Sequence, residues 1–398
     1  MLRGSPVSEP RSAPPKKHWS WRSQACRALV YQVIAVAVIA LTALYLAHNT
    51  ATNMAARGIQ SGWDFLGGSA GFDIGESIIA FDSGEPYWRA FLVGMTNTLR
   101  VAVLGIVLTT LLGTLIGVGR FSRNALVRGL CLAYVELFRN IPVLLQLLMW
   151  YLLFTEVLPV STEAWQLGPF FLSKGGLNFP IPVWATGQVL AAWGLGLGLV
   201  LAWFYRGHAQ RRFEATGQAR STVLAPLGVA LACAAIGWAL GGAPTALDRP
   251  IQGEFAIENG GALTPEFMAL LLGLTVYTAA FVAEVVRGGI QSVALGQSEA
   301  ASALGLSRGQ TMRLVMLPQA LRVIIPPMTN QFLNLTKNSS LAVAIGYPDV
   351  VSIANTAINQ TGRSVECIAI IMLVYLSTSL FTSVLMNWYN ARAAITER

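Results

Sequence analysis

Charge is what this chain has least of. Asp, Glu, Lys and Arg make up 12% of its 398 residues, whereas 54% are hydrophobic. A soluble domain usually carries about a quarter charged residues. So sparse a set cannot cover a water-facing surface of this size, which argues against a soluble enzyme and for an integral membrane protein. Histidine is also scarce: His18, His48 and His208 are scattered, and no H-E-x-x-H occurs. The four cysteines (Cys26, Cys131, Cys233 and Cys367) form no C-x-x-C pair, so neither a metal site nor a disulfide framework is expected. No G-x-x-x-x-G-K-[ST] is present, which excludes nucleotide binding through a P-loop in this chain. Nothing in the sequence forms a catalytic cluster, and no catalytic residue is assigned. The net charge of +8 reflects membrane topology rather than nucleic-acid binding, because the basic residues gather in short loops between apolar runs.

Long apolar runs are what the chain has instead. A helix needs roughly 20 apolar residues to cross the hydrocarbon layer. Runs 28–47, 101–119, 183–205, 222–241 and 367–390 carry no charge, and 140–155 and 267–283 are slightly shorter. Run 323–336 is short, polar in part and interrupted by Pro326-Pro327. None shows the alternation of a barrel strand, so all are read as helices. The expected fold is all-α: a polytopic integral membrane protein with about eight transmembrane helices. Loop charge sets its orientation. Segments 1–27, 120–139, 206–221 and 287–322 are rich in arginine, whereas 48–88 and 242–266 are acidic. That alternation puts both termini in the cytoplasm and 48–88 outside. Run 28–47 exceeds the ~7–15 residues of a signal-peptide core and is read as a retained anchor. Residues 1–27 read as a disordered tail.

Loop 287–322 is the most informative segment. Residues 298–304 are good helix formers, with Ser298 as N-cap and Glu299 in the first turn. Gly305 sits where a helix would stop. Residues 311–316 form a second short helix, with Pro318 after it. Ala300, Ala301 and Leu304 fall on one face. A small apolar knob standing in water is either a solvated helical turn or a docking surface for another protein.

The segment Glu299-Ala300-Ala301, with Gly305 and Pro318 after it, resembles the EAA loop of bacterial ABC importer permeases. Further segments are similar to the polar amino-acid branch of that family, the histidine, glutamine and general L-amino-acid importers. They are Thr96-Asn97-Thr98-Leu99, the stretch from Tyr134 to Leu147, the stretch from Ala283 to Ile290, and Lys337-Asn338-Ser339-Ser340-Leu341. The resemblance covers about 90–158 and 264–390. It implies a permease core in two parts, 89–158 and 264–390, with the coupling loop 287–322 in the second. The added span 28–47, the insert 159–263 with two extra spans, and the cytoplasmic tail 391–398 complete the layout. That larger layout resembles the general L-amino-acid permeases. The resemblance further implies a multi-pass protein of the bacterial inner membrane. It implies as partners ABC ATPase subunits that fit the coupling loop, a homologous permease and a periplasmic amino-acid-binding protein, besides membrane lipid. No cofactor is implied for this chain; ATP and Mg belong to the ATPase subunit.

Other residues fit such a transporter without defining it. Glu136 with Arg139, and Glu284 with Arg287, are spaced i,i+3 at span ends. Helix-end anchoring is the plain reading and an inner gate the sharper one. Asn334, Asn338, Ser339 and Ser340 are unusually polar for a membrane segment and are candidates to line a substrate path. Thr96 and Asn97 are further candidates, with capping or packing as the alternative. Gly105, Gly113, Gly117 and Gly119, and likewise Gly194, Gly196 and Gly198, allow close helix approach. Trp88, Trp150, Trp388 and Tyr389 near span ends read as interfacial belt residues. The competing class is an ion-coupled secondary transporter. It requires ionisable residues at mid-span or an internal repeat, and the charges here lie near span ends.

Overall fold

The computed structural model describes residues 24–56, 58, 61–216, 221 and 224–393. The expected tail 1–27 lies outside these except for its last residues, which are helical from Gln24. The tail 391–398 lies outside beyond residue 393. Each of the eight apolar runs falls on a helix. Five helices are long and apolar enough to cross a membrane on their own, or up to seven if two bent pairs each count as one span.

Helix α1 (Gln24–Ala56) stands apart, with 0% of its apolar stretch buried. Helix α2 (Tyr87–Gly119) starts well before the charge-free run 101–119. Its N-terminal half carries Asn97 and Arg100, which are tolerated because partners from other segments satisfy them. Run 140–155 is not one straight span. Helix α3 (Ala125–Asn140) occupies most of what the sequence presents as loop 120–139, and α4 (Val143–Leu152) follows at an angle of 103°. The break is at Pro142, which disfavours helical geometry in the residue before it; Ile141 is accordingly extended.

The insert contributes strands as well as helices. Loops 159–182 and 242–266 hold β1 (Trp165–Leu167), β2 (Phe170–Ser173), β3 (Gly176–Phe179) and β4 (Ile181–Pro182) before the inserted helices. After them come β5 (Leu247–Asp248), β6 (Ile251–Gln252), β7 (Ile257–Glu258) and β8 (Gly261–Leu263). Strands β1-β2-β3-β8 form an antiparallel sheet, in which Leu177 is opposite Leu263. The two ends of the insert are thus joined. Between them α5 (Thr186–Thr216) and α6 (Leu224–Leu240) pack on one another. A Cβ on Gly194 would lie 2.3 Å from the Cys233 carbonyl oxygen, and one on Gly198 2.7 Å from the Ala230 Cα. Gly196, expected to serve the same way, faces open space.

Helix α7 (Pro265–Gln291) is the centre of the bundle, with 67% of its apolar stretch buried. The Thr264 hydroxyl accepts from Phe267 N at 3.1 Å and Pro265 opens the first turn, a well-formed start. Its seam with α2 is tight. A Cβ on Gly113 would lie 2.6 Å from Val282 Cβ, and one on Gly117 2.8 Å from the Ala283 carbonyl oxygen. The remaining elements are α8 (Leu295–Ala303), α9 (Arg308–Thr311), a wide π-helical turn over Met312–Met316, and α10 (Leu317–Asn338). Pro326-Pro327 does not interrupt α10: both prolines lie on its exposed side, where the rings displace no packed neighbour. The chain instead departs from α-helix over Ser339–Ile345, turns at Gly346 (φ +78°), and resumes as α11 (Val350–Thr361) and α12 (Ser364–Ala393). Four apolar clusters knit the core among the described residues: α2 with α11 and α12 around Tyr87 and Ile353, α2 with α4 and α7 around Leu147 and Leu270, α7 with α10 around Val282 and Ile324, and α2 with α3 and α7 around Ile116 and Val135.

Candidate coupling helix and polar helix face

Helix α8 stands off one end of the bundle, between α7 and α10. It starts three residues earlier than Ser298, with Ala294 at the N-cap position. Ser298 is therefore inside the helix, its hydroxyl donating to the Leu295 carbonyl oxygen at 2.7 Å, and Glu299 lies beyond the first turn. Gly305 ends the helix as expected. At φ +74° it adopts the left-handed geometry that glycine favours. Leu306 N donates to Ala301 O at 3.1 Å and Gly305 N to Ser302 O at 3.0 Å, the paired bonds of a Schellman stop. Ser307 then caps α9 reciprocally with Gln310.

The apolar knob is not built as the helical wheel drew it. Ala301 is 3% exposed and turned inward. Glu299 and Ala300 are exposed. Leu304 is 81% exposed and Leu295 80%. Two exposed leucines at either end of a nine-residue helix leave apolar surface that burial would stabilise. Gln319 Nε2 donates to Gln297 Oε1 at 3.1 Å, tying α8 to α10. Pro318 does not follow a separate short helix; it lies where the continuous helical run from Arg308 passes from the π-helical turn into α10.

The two i,i+3 pairs differ. Arg287 donates to Glu284 through Nε at 3.0 Å and through Nη2. Glu284 also accepts from Arg120, at the end of α2, so one carboxylate ties α2 to α7. The Glu136–Arg139 pair is not made. Among the described residues neither side chain has an ion-pair partner, and the Arg139 guanidinium lies 5.2 Å from the centre of the Phe281 ring on α7. Stacking on an aromatic face lets Arg139 keep its hydration.

Candidates for a substrate path divide by their hydrogen bonds. Ser339 is buried and its hydroxyl donates to Thr336 O at 2.7 Å; Ser340 donates to Lys337 O at 2.7 Å. Thr96 donates to Val93 O at 2.8 Å. Asn97 is fully buried and its amide donates to Glu76 O at 2.8 Å and Pro348 O at 3.0 Å, a structural cross-link. Asn334 is exposed and Asn338 half-buried, and among the described residues neither amide has a hydrogen-bond partner. With Asn330 and Lys337 they make one exposed polar face on the second half of α10.

The sequence reading missed a polar knot at the opposite end from α8. Arg100 donates to Glu76 at 2.5 Å and its guanidinium lies 4.0 Å from the Phe267 ring centre; the Thr264 hydroxyl also donates to Glu76. An arginine just before a charge-free run was the one signal for it.

A bundle with five to seven helices long and apolar enough to cross a membrane, and a short exposed helix at one end, defines a polytopic membrane protein. Residues 105–395 match the family described as binding-protein-dependent transport system inner membrane component, and the chain belongs to that family. It is 46% identical to the general L-amino acid transport system permease protein AapQ of Rhizobium johnstonii, over 96% of both chains. It is 45% identical to the putative amino-acid ABC transporter permease protein YhdX of Escherichia coli, over 95% of this chain and 97% of that one. It is also 40% identical to the glutamate/glutamine/aspartate/asparagine transport system permease protein BztB of Rhodobacter capsulatus, over 94% and 95%. The likeness is therefore not limited to 90–158 and 264–390; alignments of this extent take in the insert as well.

Proposed function

We propose that the chain is the membrane-spanning permease subunit of an ATP-driven importer of amino acids, with α8 as the element through which ATPase closure reaches the bundle. Family membership and the names of its full-length relatives support the class and the substrate type. The observation that carries the coupling role is the exposure of Leu304 and Leu295 on a short helix that Gln297 ties to α10. Residues 292–294 join α8 to α7, and 304–307 join it to α9 and α10, so a push on α8 bears on both core helices. Those helices meet closely: a Cβ on Gly289 would lie 2.2 Å from Ile324 Cγ1. A displacement of one is therefore passed to the other. Asn334 and Asn338 then face the path by which polar substrate crosses.

On this reading ATP and Mg are bound by two ATPase subunits on the cytoplasmic side, a homologous permease lies beside this chain, and a periplasmic binding protein delivers substrate. The chain itself performs no catalysis and holds no cofactor. Its place is the bacterial inner membrane, with the α8 end in the cytoplasm. The ion-coupled secondary transporter finds no support in the family. Co-purification tests the assignment: Glu299→Lys and Gly305→Asp should each release the ATPase from the detergent-solubilised complex. Unchanged ATPase retention in both variants refutes the coupling role of α8.

A further inference from the structure

A cleft of about 420 Å³ opens beside the ends of α2 and α7, at the end of the bundle that carries α8. Its walls include Arg120, Arg128, Arg287 and Gln291, with Phe121 and Leu132 as apolar neighbours. Its size is that of sites that hold small ligands. No acidic side chain lines it. Glu284 stands behind the wall and binds Arg120 and Arg287 together, fixing the direction of two guanidinium groups from different helices. Arg287 is held further by Gln291. Arg128, in the first turn of α3, is exposed, and among the described residues it has no ion-pair partner. Three arginines against one glutamate leave the locality doubly positive. The amino end of α3 adds a favourable dipole. Gly129, on the same wall, has open space where a side chain would stand.

We propose that this cleft binds a phosphate-bearing anion. The guanidinium fork matches phosphate oxygens two at a time, and each arginine has more N–H donors than its protein contacts use. Arg120 directly follows the last residue of α2, and Arg287 is near the end of α7. Basic clefts between helices at this depth lie level with lipid headgroups. An anionic phospholipid and a soluble phosphate share the chemistry. The inference rests on the chain crossing a membrane and not on the role of α8, so loss of the coupling assignment leaves it standing.

The test uses the full chain, purified and stripped of lipid, as wild type and as Arg128→Gln, whose exposed and unpaired side chain lets the variant fold. Native mass spectrometry with added phosphatidylglycerol or phosphatidylcholine should show preferential retention of the anionic lipid, reduced about fivefold in the variant. Absence of lipid preference, with thermal stabilisation by millimolar inorganic phosphate that Arg128→Gln weakens, supports the site and assigns it to a soluble phosphate. If neither probe distinguishes the variant from wild type, the proposal is overturned. It is overturned equally if lipid and phosphate binding are unchanged while Arg128→Gln loses the ATPase, for then the cleft receives a protein.

Discussion

Leu304 offers the sharpest measurement. Its side chain is 81% exposed and makes no part of the apolar core. Leu304→Ala should therefore leave the stability of the permease within about 0.5 kcal/mol of wild type. Burial of a leucine side chain in a partner is worth about 1.5–3 kcal/mol. Alanine keeps only a small part of that, and about 1.4 kcal/mol corresponds to a factor of ten in affinity. The ATPase should then bind the variant roughly 10–100-fold more weakly, with transport falling in parallel. Leu304→Glu places a charge in the same apolar contact and should abolish binding. Titration of the ATPase onto the permease in nanodiscs reads the affinity, and the thermal midpoint of the permease alone reads the control. An affinity within twofold of wild type would refute the reasoning. So would a lowered midpoint in Leu304→Ala, which would mean that the leucine supports the fold rather than a partner.

Two further substitutions probe the frame behind α8. Gly117→Val drives a branched side chain against the Ala283 carbonyl oxygen and Val286 Cβ, which would lie 2.8 and 2.9 Å from the new Cβ. Overpacking of this kind costs about 1–3 kcal/mol, so the thermal midpoint should fall, and an unchanged midpoint would show that the α2–α7 seam is loose. Glu284→Gln leaves Arg120 and Arg287 facing each other without a shared carboxylate and should cost about 1–3 kcal/mol. Arg287→Gln should cost less, because Arg120 still holds Glu284; equal losses in urea unfolding would contradict the three-way arrangement.

What the sequence made legible depended on local regularity. Hydrophobic length located a helix under each of the eight apolar runs but not the shorter α3 and α11, and Gly305 marked the end of α8 because left-handed geometry selects glycine within a single residue. Several failures involve partners distant in the chain. Arg100 reads as a reason to begin the second span after it, until Glu76 from the preceding segment neutralises it. Glu284 and Arg287 were visible as neighbours on one helix, but Arg120 lies 164 residues earlier than Glu284, and no local pattern announces that contact. The sheet closing the insert pairs Leu177 with Leu263, again across a gap that periodicity does not bridge. Ala301 shows the same limit at the site itself. A helical wheel groups it with Ala300 and Leu304, but only the packing of the helix on the bundle decides which of the three turns inward.

The packing also decides which parts can move together. Helices α2 and α7 meet through glycines with no space for a methyl group, and α7 meets α10 at Gly289 with as little. Seams of that kind do not slide, because a small shift meets backbone or β-branched atoms at once. On the proposed reading, the three helices would respond to a load on α8 as one body. The discontinuity lies farther along, where the chain leaves α-helix at Ser339 and turns through left-handed Gly346 before α11. It falls directly after the polar face that carries Asn334 and Asn338. On the proposed reading, the straight run of α10 ends beside Asn334 and Asn338, at a segment whose Ser339, Ala342 and Ile345 are buried. The added helices α1, α5 and α6 lie outside these three helices. Helix α1 has 0% of its apolar stretch buried, and α5 and α6 pack on each other.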